Sequence, residues 1–336
     1  MKKFLASIIA VVLAVSGLSV ISITANAATI FISGNYEYTV NSDDTVNIAG
    51  YKGIATDITI PSQILNKNVV KISDNSFYNN STLTSVKIPN TIKVVGSMAF
   101  HNCTKLSKVT LPSNLTEIGY SAFNGTTALT TITIPKTVTK AGSDVFEDSG
   151  LKTATIENGA TAVADNLFSN AKNLTKVTIP NTVKKVGSMS FYGCKSLSSV
   201  TLPNTLISIE TSAFENCQAM KSITIPKSVT YFGTTAVGYS DGRVIDGFII
   251  YGYKNTEAQT YATKNKITFK ALQEETVPVG DINNDGKIDV SDVTYLQMYL
   301  SGNSSYVIKN TKAADANGDG KIDVADVTKI QTIIAS

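Results

Sequence analysis

A phenylalanine recurs about every 23 residues through the middle of this 336-residue chain. Self-similarity at a fixed period of this size indicates an array of stacked units, and it constrains the fold more than local propensity does. The spacings along the row are 23, 23, 23, 22, 23 and 23, and Val237 continues it. Its members are Phe77, Phe100, Phe123, Phe146, Phe168, Phe191 and Phe214. Seven of the eight prolines mark a second common point, each after an Ile or Leu, and Glu157 stands where one is missing.

Each unit also carries the pattern Leu-x-x-(Val/Ile)-x-(Ile/Leu)-Pro. Residues 84–89 alternate with a period of two, which predicts a strand with one buried face. Proline ends the ladder because it has no N–H to donate. Stacking the units predicts three buried rows: Leu83, Leu106, Leu129, Leu151, Leu174, Leu197 and Met220; Val86, Val109, Ile132, Ala154, Val177, Val200 and Ile223; Ile88, Leu111, Ile134, Ile156, Ile179, Leu202 and Ile225. No unit buries these faces alone, so we predict a mainly β solenoid of parallel strands with a continuous core.

Residues 58–240 resemble the BspA-type leucine-rich repeat, a family of bacterial surface proteins. The resemblance implies a curved parallel-strand solenoid, and the family is associated with adhesion and ligand binding. Alternating residues predict an N-terminal β cap at 28–57, and a strand–helix–strand pattern predicts a C-terminal cap at 241–273. Outward positions on the strands carry many threonines, which are either a binding face or simply residues suited to a pleated surface. One such row is Lys87, Thr110, Thr133, Thr155, Thr178, Thr201 and Thr224.

Two twelve-residue aspartate loops follow a short linker at 274–279 and begin 34 residues apart. Oxygen-bearing side chains at positions 1, 3, 5, 9 and 12, a glycine at position 6 and a backbone carbonyl at position 7 make the pattern of a calcium loop. The first loop supplies Asp281, Asn283, Asp285, the backbone oxygen of Lys287, Asp289 and Asp292; the second supplies Asp315, Asn317, Asp319, the backbone oxygen of Lys321, Asp323 and Asp326. Hence two structural Ca²⁺ ions are predicted, coupled to folding.

Apolar residues at helical spacing follow each loop, and the first 20 residues of the two copies agree at 12 positions. Residues 280–336 thus resemble a type I dockerin, a small helical module with two calcium loops. The resemblance implies docking to a cohesin module of a scaffoldin, in either of two orientations. It places Val290 and Ser291, and Val324 and Ala325, at the cohesin contact. Many dockerins have Ser-Thr at these pairs, so the cohesin type stays open.

The first 27 residues have the features of a signal peptide. Lys2 and Lys3 precede an apolar run, and Ala25-Asn26-Ala27 is a small-x-small cleavage site. A membrane anchor is the alternative, because the run is nearly long enough to span a bilayer. We therefore expect a secreted protein, held at the cell surface through a scaffoldin and free of the membrane after cleavage.

Composition excludes several classes of function. Charged residues make up 16% of the chain with a formal net charge of +3, too balanced for a nucleic-acid-binding protein. One histidine, His101, rules out multi-histidine metal sites and makes Ser/His or Cys/His catalysis improbable. We interpret it as a surface turn residue. The absence of tryptophan weakens, without excluding, a sugar-stacking platform.

Three cysteines, Cys103, Cys194 and Cys217, each lie three residues after a phenylalanine of the row. This slot takes small residues in other units, so buried free thiols are the first interpretation. Cys194 and Cys217 are stacked neighbours, and a disulfide between them is conceivable by distance.

These observations favour a non-catalytic binding protein of a cellulosome-like assembly, with the solenoid as its surface for an unknown protein or polysaccharide. The alternative is a surface adhesin for host or plant glycans or proteins. A polysaccharide-degrading enzyme is a weaker hypothesis. Glycosidases need a carboxylate pair at a set separation, and the acids Glu117, Glu147, Asp148, Glu210 and Glu215 fall in turns without repeated pairing.

Overall fold

The computed structural model describes residues 29–273 and 278–336, so the predicted signal peptide and most of the predicted linker lie outside the described residues. The chain divides into two compact units, 1–272 and 273–336, which are treated separately below. Among the described residues, no helix combines the length and the apolar character needed to cross a membrane.

The solenoid unit begins with an antiparallel meander that leads into the first repeat. β1, β2 and β3 pair antiparallel, and β3 then pairs parallel with β6. The strands are β1 (Phe31–Ser33), β2 (Tyr36–Val40), β3 (Val46–Tyr51), β4 (Asp57–Thr59), β5 (Gln63–Ile64) and β6 (Lys67–Ile72). The alternating residues that predict the N-terminal β cap form β2 and β3.

Most turns of the solenoid carry two strands, a first strand before the proline and a second, two-residue strand after it. The first strands fall where the repeat pattern predicts them, whereas the sequence did not predict the second. They run as β7 (Ser85–Lys87), β8 (Val94–Val95), β9 (Lys108–Thr110), β10 (Glu117–Ile118), β11 (Thr131–Ile134), β12 (Lys140–Ala141), β13 (Thr153–Ile156), β14 (Ala162–Val163), β15 (Lys176–Thr178), β16 (Lys185–Val186), β17 (Ser208–Ile209), β18 (Ser222–Thr224) and β19 (Tyr231–Phe232).

Proline separates the two strands of a turn, and its carbonyl makes the reversal. The carbonyl of Pro89 accepts from the N–H of Ile92 at 3.1 Å, and that of Pro112 accepts from Leu115 at 3.1 Å. Glu157 makes the same reversal through Ala160, at 3.2 Å, so proline favours this turn but is not required for it. The Glu157 side chain additionally accepts from the Lys136 N–H of the preceding unit at 3.0 Å.

The first strands of neighbouring turns pair in parallel, with equivalent positions of the repeat opposite each other. The ladder that they form is interrupted. β4, β7 and β9 form one sheet, and β11, β13 and β15 form the next. No strand forms at residues 199–201. The prediction of three fully buried rows is therefore wrong at Val109, Leu111 and Val200, which are half-buried. These residues lie where neighbouring turns do not pair, so their edges reach solvent.

The phenylalanine row forms the opposite side of the core. Each of the seven rings is at most 2% exposed. Consecutive ring centroids lie 4.8, 5.3, 5.6, 5.8, 5.5 and 5.1 Å apart with interplanar angles of 4–23°, so the rings stack from turn to turn. Offset stacking of this kind adds to the energy of burying each ring. Tyr51 extends the stack beyond Phe77 at 5.6 Å.

The far end of the solenoid is closed by a hairpin, two parallel strands and a helix. β22 pairs with β18 and β23 pairs with β22, so the strand ladder ends on a backbone pair outside the repeats. The elements are β20 (Tyr239–Ser240), β21 (Arg243–Val244), β22 (Ile249–Gly252), α1 (Glu257–Lys264) and β23 (Thr268–Ala271). This agrees with the strand–helix–strand pattern expected there.

The second unit consists of two loop–helix copies that pack on each other. Its helices are α2 (Val290–Leu300), α3 (Thr311–Ala314) and α4 (Val324–Ala335). Its own apolar core includes Val293 and Leu296 of α2 and Val327 and Ile330 of α4. Ile334, the last residue of the helical pattern, is exposed.

Candidate functional site

The position-1 carboxylate of each aspartate loop points into the loop. In the first loop, Asp281 accepts from the N–H groups of Asp285 and Gly286 at 3.2 and 3.0 Å. In the second, Asp315 accepts from Asp319 and Gly320 at 3.0 and 2.9 Å. The two copies thus share one hydrogen-bond scheme.

Positions 3, 5 and 6 shape the same turn in both copies. The Asn283 side-chain oxygen accepts from the Asp285 N–H at 2.9 Å, and Asp285 accepts from the Lys287 N–H at 2.9 Å. Asn317 and Asp319 repeat these contacts with Asp319 and Lys321 at 2.8 and 2.9 Å. Gly286 and Gly320 have φ of +87° and +84°, a left-handed conformation that glycine adopts without a steric penalty.

Positions 9 and 12 begin the helix that leaves each loop. Asp289 is the N-cap of α2 and accepts from the Ser291 N–H at 2.8 Å, while Asp292 accepts from the Asp289 N–H at 2.9 Å. Hydrogen bonds from the hydroxyl and backbone of Ser291 hold the pKa of Asp289 below its usual value. Asp323 and Asp326 form the same reciprocal cap on α4. Two predicted ligands in each loop therefore also set where a helix starts.

The position-12 carboxylates are buried and tie the loop ends together. Asp292 is 0% exposed and accepts from the N–H groups of Ile282 and Asn283 at 2.7 and 3.0 Å. Asp326 is also 0% exposed and accepts from Asn317 at 3.1 Å. Within residues 278–336, no lysine forms an ion pair with a loop carboxylate. Each loop thus contains four aspartates, and none of them forms an ion pair with a lysine of this unit.

The loop carboxylates are bonded to amides rather than gathered at one point. Across 29–273 and 278–336, no group of three or more His, Cys, Asp or Glu side chains is arranged to hold a metal ion. The donor chemistry nevertheless fits a hard cation, because each loop offers carboxylate, amide and carbonyl oxygens and no nitrogen or sulfur ligand. A carboxylate oxygen that accepts one amide bond keeps further acceptor capacity. The individual ligand assignments stay predictions.

The pairs predicted to contact a partner lie on the first turns of α2 and α4. Val290 is 71% exposed and Val324 is 73% exposed, the highest exposures among the large apolar residues of this unit. Ser291 and Ala325 beside them are exposed as well. The two pairs are equivalent in the two copies, so the unit presents the same apolar feature twice.

The outward threonines at equivalent positions of the repeats form a second exposed surface, called here the threonine face; all but Thr201, where no strand forms, lie on first strands. They are Thr110, Thr133, Thr155, Thr178, Thr201 and Thr224. A groove of about 570 Å³ crosses it where β9 and β11 do not pair. Threonine hydroxyls and the Glu157 carboxylate line this groove, and the half-buried Val109 and Leu111 form part of its floor.

Of the acids considered for glycosidase chemistry, Glu147, Asp148 and Glu215 are engaged in structural contacts, and Glu117 lies in β10 rather than in a turn. Lys172 pairs with Asp148 at 2.9 Å and with Glu147 at 3.6 Å. Glu215 lies in a turn, as expected, but it is only 9% exposed, and its carboxylate accepts from the Gly242 N–H and the Thr235 hydroxyl, each at 2.9 Å. The C-terminal hairpin folds over Glu215 and buries it.

All three cysteines are buried free thiols, which confirms the first interpretation. Each thiol donates to a phenylalanine carbonyl, at 3.1 Å from Cys103 to Phe77 and 3.2 Å from Cys217 to Phe191. Burial raises the pKa of both thiols to about 12. They are unreactive at neutral pH because the thiolate is the nucleophile.

Comparison with known families decides what this chain is. Six copies of the BspA type leucine rich repeat region match residues 54–175 and 161–242, which is more than half of the chain. The chain belongs to the BspA type leucine-rich repeat proteins. A Dockerin type I domain matches residues 279–334, so this leucine-rich repeat protein carries a dockerin at its second unit. Type I dockerins bind calcium as a family, and both families are non-catalytic.

Solved structures similar to this leucine-rich repeat protein are bacterial leucine-rich repeat proteins. A protein from Bacteroides ovatus is 24% identical over 76% of this chain and 69% of its own, with a TM-score of 0.51, and supports the fold. A leucine rich cell surface protein from Faecalibacterium prausnitzii is 31% identical over 63% and 74%, with a TM-score of 0.46. A T. pallidum leucine rich repeat protein is 27% identical over 70% and 95%, with a TM-score of 0.48. No curated protein matches the chain.

Proposed function

We propose that this chain is a secreted, non-catalytic binding protein that docks through its dockerin to a cohesin of a scaffoldin. The observation that carries the proposal is the twofold repetition of one loop–helix geometry, with Val290 and Val324 exposed at equivalent points. Two Ca²⁺ ions would be held by the predicted oxygens of the two loops. Their positive charge would offset the mutual repulsion of four carboxylates in each loop.

The dockerin residues act in this proposal by presenting a fixed surface. Asp289 and Asp323 start α2 and α4, so the loop conformation sets the position of the apolar pair on each helix. Exposed apolar side chains on rigid elements are suitable anchors for a protein partner. Because either apolar pair could contact the cohesin, binding in two orientations is expected.

A capture experiment with immobilised cohesins tests this docking. The full-length mature chain is passed over the cohesins of the producing organism with Ca²⁺ or with EDTA. We expect capture in Ca²⁺, release by EDTA, and loss in the double variant Asp281→Ala/Asp315→Ala. Failure to bind any cohesin, or capture that EDTA leaves unchanged, would contradict the proposal.

Single and double variants of the apolar pair test the two orientations. Val290→Asp and Val324→Asp should each retain most of the capture, because the second copy still presents its valine. The double variant should lose it. Lys309→Ala, an exposed change away from both pairs, is the matched control. If one single variant loses as much capture as the double variant, only one orientation is used.

The solenoid is proposed as the ligand-binding part, with the grooved threonine face as one surface for it. A protein or a polysaccharide is compatible with hydroxyls above an apolar floor. The alternative function, a surface adhesin for glycans or proteins, uses the same face without a cohesin. Cohesin capture separates the two functions, because an adhesin that is held at the cell surface by another attachment does not need to bind a cohesin.

A further inference from the structure

The second aspartate loop contains a chemically labile pair of residues, Asn317-Gly318, that the first loop lacks. In an asparagine–glycine pair, the backbone nitrogen of glycine can attack the side-chain carbonyl carbon of asparagine, because glycine has no Cβ to hinder the approach. The chain holds three such pairs, Asn124-Gly125, Asn158-Gly159 and Asn317-Gly318. The first loop has Asn283-Asn284 at the equivalent positions.

The two pairs in the solenoid are held by a hydrogen bond at the attacking nitrogen. The Gly125 N–H donates to the Glu147 carbonyl at 2.9 Å, and the Gly159 N–H donates to the Thr182 hydroxyl at 3.1 Å. Each bond has to break before the nitrogen can lose its proton and attack. Within the described part of the chain, the Gly318 N–H has no hydrogen-bond partner. Of the three glycine nitrogens, that of Gly318 is therefore the one free to react.

The surroundings of Asn317 leave room for this reaction. Asn317 and Gly318 are exposed, and a Cβ on Gly318 would meet no described atom within 4 Å beyond its chain neighbours. The Asp319 N–H donates to the Asn317 side-chain oxygen at 2.8 Å. A donor at this point stabilises the negative charge that develops on the oxygen when the carbonyl carbon is attacked.

The equivalent asparagine of the first loop is held more tightly. The Asn283 side-chain amide donates to the Ser291 hydroxyl at 2.8 Å, whereas Ala325 stands at that position in the second loop. The next residue, Asn284, brings a Cβ that hinders attack by its nitrogen. Asn284 and Gly318 nevertheless share a left-handed conformation, with φ of +62° and +78°. The two loops therefore have the same local conformation but differ in reactivity.

We propose that Asn317 is a deamidation site that bound calcium protects. The Gly318 nitrogen, after losing its proton, bonds to the Asn317 side-chain carbon, the bond from this carbon to the amide nitrogen breaks, and ammonia leaves. Water then opens the resulting imide ring at either carbonyl, which leaves aspartate or isoaspartate. The net change is the addition of one water and the loss of one ammonia.

Calcium protects the site by holding the side chain in the loop. The side-chain oxygen of Asn317 is a predicted calcium ligand, and the ring cannot form while this oxygen stays on the ion. Protection by calcium rests on the proposed function of the loop, whereas the reactivity of the Asn317-Gly318 pair does not.

The two products affect the second loop differently. Aspartate keeps an oxygen acceptor at position 3. Isoaspartate routes the backbone through the former side chain, which lengthens the loop by one methylene. The lengthened backbone moves Asp315 relative to the Asp319 and Gly320 N–H groups from which it accepts. A chain left without calcium should therefore lose the second of its two calcium loops as isoaspartate accumulates.

Peptide mass spectrometry tests the site. The full-length mature chain is incubated with Ca²⁺ or with EDTA, and the exchange of amide for carboxylate is followed over time at each asparagine. In EDTA, Asn317 should convert faster than Asn124, Asn158 and Asn283. Ca²⁺ should slow the conversion of Asn317 about tenfold, which corresponds to about 1.4 kcal/mol in the barrier. Faster conversion at any of the other three, or equal rates at Asn317 with and without Ca²⁺, would overturn the inference.

Exchanging one residue between the two loops isolates the cause. Gly318→Asn gives the second loop the residue that the first loop has in the same conformation, and it should slow the conversion of Asn317 about tenfold. Asn284→Gly should in turn make Asn283 reactive. In each variant the unaltered loop is the control within the same molecule. An unchanged rate at Asn317 in Gly318→Asn would overturn the assignment.

Calcium titration of the aged chain tests the consequence. The isoaspartate form, separated by chromatography and returned to Ca²⁺, should bind one ion fewer than the fresh chain. Equal calcium binding by the two forms would contradict the loss of the second loop.

Cohesin capture keeps this inference separable from the docking proposal, because the change at Asn317 is measured without a cohesin. Conversion at Asn317 with no cohesin captured by the fresh chain would contradict the docking proposal alone. Capture that depends on Ca²⁺, with Asn317 unchanged after incubation in EDTA, would contradict the deamidation site alone.

Discussion

Left-handed residues flank every buried phenylalanine of the solenoid at fixed distances. The residue two positions after the ring is Asn, Asp or Gly in each of the seven units, the types that tolerate positive φ best. The residue two positions before it is also left-handed in every unit but varies in type, including Met98 at +54° and Met189 at +53°. Methionine in this conformation costs free energy, because its Cβ crowds the backbone.

Met189→Asn is therefore expected to stabilise the solenoid. Asn75 and Asn166 occupy the equivalent position in other units with φ of +60° and +59°, so asparagine fits this turn. The Met189 side chain is 38% exposed, so little packing is lost. The free energy of unfolding in urea should rise by about 1 kcal/mol. Met189→Ala removes the same side chain without relieving the backbone and should give no gain; equal effects of the two variants would contradict the explanation.

At the scale of elements, adjacent turns of the solenoid approach each other through glycine. A Cβ on Gly119 would lie 2.6 Å from the Gly96 carbonyl carbon and against the Ser97 nitrogen, closer than real atoms approach. These neighbours are backbone atoms, which cannot swing aside as a flexible side chain does. Ala164 stands at the equivalent position of the short unit, and β14, which ends at Val163 directly before it, does not pair with β12 of the preceding turn.

Gly119→Ala should accordingly loosen the contact between two turns. We expect a loss of about 1–3 kcal/mol in the free energy of unfolding, the usual cost of forcing atoms into a packed space. Ser73, Ala164 and Glu210 show that three units manage without this glycine, so local opening rather than unfolding is expected. Hydrogen exchange of the β8, β10 and β12 amides measures it. Tyr120→Ala, an exposed neighbour, is the control, and an unchanged exchange pattern in Gly119→Ala would contradict the argument.

At the scale of the whole molecule, the chain consists of two compact units with separate apolar cores. The solenoid core runs through every turn, and residues 29–273 hold no group of three or more His, Cys, Asp or Glu arranged for a metal ion. The core of the second unit is small, and the aspartates of its loops form no ion pair with a lysine within residues 278–336. Its stability should consequently depend on the bound ion far more than that of the solenoid.

Chelation should thus unfold one unit and leave the other. In calorimetry of the full-length mature chain, EDTA should lower the transition of residues 278–336 and leave the solenoid transition in place. Asp292→Asn should weaken the calcium response, because Asp292 is buried and joins both ends of its loop. A single transition that EDTA leaves unchanged would exclude this account.

Much of the fold, and the loop followed by a helix in each copy of the candidate site, could be predicted from the sequence, whereas the ligand assignments stay predictions. The period of 23, the phenylalanine row and the first strands follow from regular spacing, since stacked identical units must place equivalent side chains together. The loop residues follow from a spacing that brings oxygens to one turn. The prediction of burial failed at Val109, Leu111 and Val200, because the sequence does not show where neighbouring turns stop pairing.

The sequence by itself determined the repeat, the core rows and the two aspartate loops, because each depends on short-range spacing within a repeated unit. The tertiary structure decided the second strand of each turn and the burial of Glu215. Each of these depends on residues far apart in the chain: Glu215 is buried where its carboxylate accepts from the Gly242 N–H of the hairpin that follows the repeats. No periodicity encodes such a contact, because it joins a repeat to a segment that does not repeat.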